Sequence, residues 1–253
     1  MTEWVRLAVG LVALLAIAIG VSYAGRLDRH RDLLVASLRA VLQLAFVAAA
    51  LRGVFAAPLA SVAVVAVMFT VATWTAARRL RPTEGALPAV MLSCGAGASV
   101  VIAIIVALPT LDRNVRTFVA VSGIVLGGTM TAATLAGRHL NEGLRRRRDE
   151  VEAWLSIGAT PRQAVREVAR WAASEALVPA LDQTRTVGLV TLPGAFIGAL
   201  LGGASAVEAA RFQIVVLVGL LCAEVITVVL LTYLLGAPRQ LPAVDTGMPS
   251  RGG

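Results

Sequence analysis

One carboxylate, Glu224, interrupts an otherwise apolar stretch near the end of the sequence. An acid in such surroundings could bind a cation, relay a proton or pair with a base such as Arg39. A protonated carboxyl bonded between helices is the structural alternative. Arg39 and Gln43 lie four residues apart in another apolar run, hence on one helical face. Arg39 could face a polar pathway or, sitting near the start of its run, snorkel to the headgroups. Gln43 is deeper and suits an interhelical hydrogen bond. Other reactive residues offer less. Cys94 and Cys222 sit in apolar runs with no C-x-x-C partner, and His30 and His139 are flanked by arginines and read as solvated. Met68, Met91 and Met130 are scattered and read as gap-fillers. No clustered His/Cys pattern marks a metal site, and no serine shows a histidine partner for nucleophilic catalysis. No catalytic residue is assigned, and metal ligands stay unknown.

All 23 basic residues are arginine. A Walker A loop needs a lysine on the nucleotide phosphates, so the chain carries no P-loop of its own and no cofactor is expected in it. The net charge of +8 could suggest nucleic acid. The arginines, however, sit in short segments between apolar runs, which reads as membrane topology instead.

The elements that must hold these residues follow from hydropathy. The chain has 253 residues, 58% hydrophobic, with a mean hydropathy of +0.81. A spanning helix needs about 20 mostly apolar residues. Seven stretches qualify: residues 4–24, 33–51, 57–77, 86–108, 116–137, 184–202 and 212–235. The fold class expected is therefore all-α, a polytopic membrane bundle of about seven spans, because strands of this length would leave backbone groups unpaired in lipid. The first run is longer than the roughly 7–15 residues of a signal-peptide core, and so reads as a span.

Arginine content alternates along the connections. Arg26, Arg29 and Arg31 follow the first span, Arg78, Arg79 and Arg81 the third, and the arginine-richest segment the fifth. By the positive-inside rule these lie in the cytoplasm, with the N-terminus outside and the C-terminus inside a cell (inner or plasma) membrane. The sixth candidate contains Pro193 and Gly194 mid-span, which predicts a break. Residues 1–236 read as one membrane domain, and the Pro/Gly-rich residues 237–253 as a disordered cytoplasmic tail.

The long segment at about 138–180 is the most informative. Residues 141–157 predict a charged helix with Leu144, Val151, Leu155 and Trp154 on an apolar stripe. Gly158 is placed as its C′ cap. Thr160 then reads as an N-cap, Pro161 as N1 and Gln163 as N3, a capping box opening a second helix. Its apolar positions are Ala164, Val165, Val168, Ala169, Ala172 and Ala176. An amphipathic helix lying on anionic lipid would account for the arginine run 145–148. It accounts less well for so sharply capped a turn, which suits docking of a cytoplasmic protein.

These residues resemble the Fet-type ABC transporter permease family, whose members include a bacterial iron-export permease and a plant aluminium-tolerance permease. The resemblance runs from Arg39 to about residue 235 and rests on IGATPRQA, VGLVTLPG, GGASAVEAARFQI and SLRAVLQL. Glu152, Ala153 and Gly158 also stand at the spacing of the EAA–Gly motif of ABC permeases, with Trp154 at its third position. The resemblance implies a permease that pairs with itself and with separate cytoplasmic ATPase subunits binding ATP and Mg. Glu152, Gly158, Ala159, Thr160, Pro161, Arg162 and Gln163 would form the coupling segment. Arg39, Gln43, Pro193, Gly194 and Glu224 would belong to the transport pathway. The chain departs from the family where Ala195 and Phe196 replace Met-Met, where Ala199 replaces Gln, and where Gly128 and Thr131 replace Asn. Thioethers and amides are plausible metal contacts, so the cargo stays open between a metal ion such as iron and a small solute.

Two other classes fit parts of the sequence. An ATP-independent secondary transporter or channel would use Glu224 and the broken sixth span as a midplane site. A non-transporting scaffold would use only the cytoplasmic helices.

Overall fold

The computed structural model describes residues 2–54, 58–81, 83–108, 110–112, 114–238 and 241. Residues 239, 240 and 242–253, most of the expected tail, lie outside the described residues. Among those described, the elements are nine helices: α1 (Glu3–Ala24), α2 (His30–Val54), α3 (Pro58–Arg79), α4 (Ala86–Ala107), α5 (Val115–Arg146), α6 (Arg148–Ser156), α7 (Pro161–Thr186), α8 (Gly194–Leu201) and α9 (Ala206–Leu235). Six of them, α1 to α5 and α9, are long and apolar enough to cross a membrane. This is the all-helical, polytopic architecture that hydropathy predicts.

The chain divides into two compact units, Met1–Pro58 and Leu59–Gly253. In the first, α1 and α2 are joined by a tight turn. Ser22 Oγ donates to the Leu27 carbonyl at 3.0 Å, and the Tyr23 and His30 rings stack at 4.6 Å. Both helices expose most of their described leucines and valines, as a lipid solvent allows.

In the second unit, α4, α5 and α9 form the centre. Glycines let the helices approach closely. A Cβ at Gly97 would run into the Ala223 carbonyl and Thr227 of α9, and one at Gly137 would strike Leu80. Thr227 Oγ1 donates to the Ser93 carbonyl across the α4–α9 seam at 3.3 Å. As α4 advances from Gly97 to Val101, its neighbours on α9 retreat from Ala223 to Gly219, so the two helices are antiparallel. Met68 caps Gly123 and behaves as a gap-filler.

Three expected elements differ. Residues 184–202 are not one spanning helix. Instead α7 runs on to Thr186, an elbow follows, and α8 begins at Gly194. The elbow is closed by Leu189, Val190 and Thr191 N–H groups donating to the Thr186 carbonyl. The second α7 residue, Arg162, touches Tyr233 near the far end of α9, while α8 leads into the start of α9. So α7, the elbow and α8 together carry the chain back along α9, with about 39 Å supplied by α7 at 1.5 Å per residue. Within this return α7 is polar while the elbow and α8 are apolar, so hydropathy divides it wrongly.

The last span begins at Ala206, not residue 212. The Ser205 hydroxyl accepts the Glu208 N–H and the Glu208 carboxylate accepts the Ser205 N–H, a second capping box. Glu208 and Arg211, expected in a loop, therefore sit in the first turns of α9. Finally, residues 141–157 are not a separate helix. The membrane helix α5 continues to Arg146, breaks at Arg147, and α6 follows.

Candidate functional site

The turn between α6 and α7 is built as its sequence predicts. Gly158 has φ +92°, a conformation that L side chains adopt with strain. Its N–H donates to the Leu155 carbonyl at 3.1 Å, and the Ala159 N–H donates to the Trp154 carbonyl at 3.0 Å. Those two bonds make a Schellman motif. Immediately after it, the Thr160 N–H donates to Gln163 Oε1 at 2.8 Å, the Gln163 N–H donates to Thr160 Oγ1 at 3.4 Å, and Pro161 occupies the first helical position. The turn thus satisfies its own backbone without help from neighbours, and its two arms hold a defined angle.

The turn is also anchored. Val151 of α6 and Ala164, Val165, Val168, Ala172 and Ala176 of α7 are buried in one cluster with Leu140, Leu144, Leu231 and Leu235. Val168 and Trp171 close over Gly143, and His139, half-buried, lies edge-on to Trp171 at 5.7 Å. Trp154 and Leu155, expected on the buried stripe, are instead 49% and 37% exposed, and Ile157 is 75% exposed. These three project from a turn held by the core beneath. Around them, the arginine run is largely balanced. Arg146 pairs with Glu142 at 2.6 Å, Arg147 with Glu150 at 2.8 Å, and Arg148 with Glu152 at 2.6 Å. Partnered arginines leave less charge for lipid headgroups than the bare sequence implies. Of the remaining coupling residues, Pro161, Arg162 and Gln163 are exposed and Ala159 is half-buried.

Glu224 is buried on α9, beside Gly128 of α5. A Cβ at Gly128 would lie 2.7 Å from Glu224 Oε1, so the glycine provides the space for the carboxylate. Among the described residues none makes a hydrogen bond or ion pair with it. Gln213 is buried on α9 as well, with its Oε1 unpaired among the described residues, and Ser122 Oγ on α5 is in the same state. Neither is singled out by the sequence; Ser122 interrupts an apolar run, whereas Gln213 follows Arg211 closely and carries no such signal. Ser122 lines an open, mostly apolar cavity of about 240 Å³ at the Val115 end of α5.

Arg39 and Gln43 are exposed in the first unit. Pro193 and Gly194 do mark a break, as the N-cap and first residue of α8. Asp182 and Arg185 form an exposed pair, at 3.5 Å. Among the described residues no group of three His, Cys, Asp or Glu could hold a metal ion.

Residues 4–238 match the model of the uncharacterised protein family UPF0014. UPF0014 membrane protein STAR2 of rice is 37% identical over 89% of this chain and 80% of its own length. The Arabidopsis protein ALUMINUM SENSITIVE 3 is 32% identical over 91% of this chain and 85% of its own. The protein named probable iron export permease FetB of Escherichia coli is 29% identical over 87% of this chain and 86% of its own. No solved structure matches. With nearly its whole length covered by the family model and six helices of spanning length, the chain is a multi-pass membrane protein belonging to the UPF0014 family.

Proposed function

We propose that this chain is the membrane-spanning subunit of an ABC transporter, an exporter of a metal ion such as iron or of a small solute. It works as a homodimer with a separate cytoplasmic ATPase that supplies ATP and Mg. The observation that carries this reading is the α6–α7 turn: self-capped, exposing Trp154, Leu155 and Ile157, and packed on the ends of α5 and α9. Apolar side chains on a rigid projecting turn form a docking knob for a groove in a protein partner. The name given to the Escherichia coli relative supports export and iron as the first cargo to test.

In this mechanism the docked turn moves with the ATPase and passes that movement to the helices packed behind it, α5, α7 and α9. Glu224 stands in the pathway as a buried carboxylate with room around it. Glu175, Asp182 and Arg185 are exposed on α7, the helix that returns along α9. Charges there are costly against lipid, and a polar pathway between two copies of the chain would cover them. The arginine distribution supports an N-terminus outside and the α6–α7 turn in the cytoplasm.

Co-purification of the chain with its cognate P-loop ATPase, followed by ATP-dependent iron efflux in proteoliposomes, tests the reading. Association and ATP-dependent flux are expected. Flux without any ATPase would instead favour the secondary transporter, and loss of neither binding nor hydrolysis on Trp154→Ala plus Ile157→Ala would remove the docking role.

A further inference from the structure

Arg162 is the second residue of α7, directly after the capped turn. Its Nη1 donates to the Tyr233 hydroxyl of α9 at 2.6 Å, and its guanidinium carbon lies 4.2 Å from the centre of the same ring. One side chain thus makes a hydrogen bond and a cation–π contact with one partner. Arg146, Arg147, Arg148 and Arg170 pair with carboxylates three or four residues away. Arg162 reaches across 71 residues to another helix.

The contact is not needed to close the core. Both residues are exposed, whereas the apolar joint beneath them is made by Val165, Val168, Leu231 and Leu235. A tyrosine in the last turns of a span is ordinarily an interfacial anchor that offers its hydroxyl to water and headgroups. Here the hydroxyl is taken by the first turn of the docking helix. Tyr233 and Glu224 are nine residues apart on one helix, about 13 Å, and point to opposite sides. Tyr233 therefore grips the outer side of α9 while Glu224 faces the bundle. An intact helix moves as a rod, so displacement at Tyr233 is displacement at Glu224.

We propose, resting on the docking reading above, that Tyr233 is the positioning residue through which movement of the α6–α7 turn reaches α9. Arg162 is its lever.

The test uses the full chain in lipid nanodiscs with the cognate ATPase, comparing wild type with Tyr233→Ala, Tyr233→Phe, Arg162→Ala and the Arg162→Ala/Tyr233→Ala double variant. Affinity for the ATPase and permease-stimulated ATP hydrolysis are measured separately. Tyr233→Ala should keep wild-type affinity yet lose stimulation by roughly fivefold or more, the lower end of the range for coupling between sites. Tyr233→Phe keeps the ring and loses only the hydroxyl, so its loss should be smaller. The double variant should be no worse than the worse single variant, because the two side chains act as one contact. Full stimulation in Tyr233→Ala, or losses that add in the double variant, would overturn the proposal. If Tyr233→Ala aggregates, Tyr233→Phe decides: full stimulation with normal binding overturns the hydroxyl's role, and partial loss supports it. A wild-type chain that never binds the ATPase would instead sink the docking reading beneath it, an outcome the affinity measurement tells apart.

Discussion

At the scale of single residues, space and backbone conformation decide what is tolerated. Gly158 holds φ +92° with nothing near its missing Cβ. Gly158→Ala should therefore cost about 1–2 kcal/mol through backbone strain alone, read as a lowered melting midpoint. It should also loosen the docking turn and weaken ATPase association. Gly128 is the opposite case. Its backbone is ordinary, but a side chain there would meet Leu220 and Glu224. Gly128→Ala should cost about 1–3 kcal/mol by overpacking and displace the carboxylate, so flux should fall even where the protein still folds. Glu224→Gln keeps the shape and removes the charge. Loss of ATP-driven flux at unchanged ATPase binding is expected, and undiminished flux would take Glu224 out of the pathway.

At the scale of elements, the same device appears twice. In Ile157-Gly158-Ala159-Thr160 and in Gly202-Gly203-Ala204-Ser205, a left-handed glycine ends one helix and a hydroxyl residue caps the next. The Ala204 N–H donates to the Ala199 carbonyl at 3.0 Å, matching Ala159 to Trp154. Both capping boxes have the form [ST]-x-x-[QE] in the sequence; the second lies outside the apolar run 212–235, so hydropathy does not point to it. Thr160→Ala and Ser205→Ala should each cost about 1 kcal/mol, measured by thermal unfolding in detergent. The α4–α9 seam is less forgiving. Gly97 lies against the Ala223 backbone, which cannot yield as a side-chain tip can. Gly97→Ala should force the helices apart and cost about 1–3 kcal/mol, whereas Asp182→Asn on the exposed pair should change stability by under roughly 0.5 kcal/mol.

At the scale of the whole molecule, the return that links α6 to α9 is polar in α7 and apolar in its elbow and α8. The return through α7, the elbow and α8 brings the chain from the Tyr233 end of α9 to its Ala206 end, so the two ends of α9 lie on opposite sides of the bundle. Single cysteines at Thr2 and Ser156 in a background lacking Cys94 and Cys222 test the orientation. A membrane-impermeant maleimide added to intact cells should label Thr2→Cys and leave Ser156→Cys untouched until the cells are opened.

What the sequence determined by itself is local. Apolar length sets six of the helices, because lipid rewards uninterrupted hydrophobic stretches and nothing distant need be known. The turn at Gly158 and Thr160 was equally legible, since caps are satisfied within four or five residues of themselves. The tertiary structure decided the rest. That Gly128 makes room for Glu224, that Gly97 seats α9, and that Arg162 closes on Tyr233 are pairings between residues about 70 to 130 positions apart, for which no local pattern exists. The largest misreading, the division of residues 184–202 from the helix before them, has the same cause. Helix α7 is held by an alanine and valine stripe buried against α5 and α9, and its hydropathy alone does not reveal that those neighbours are there.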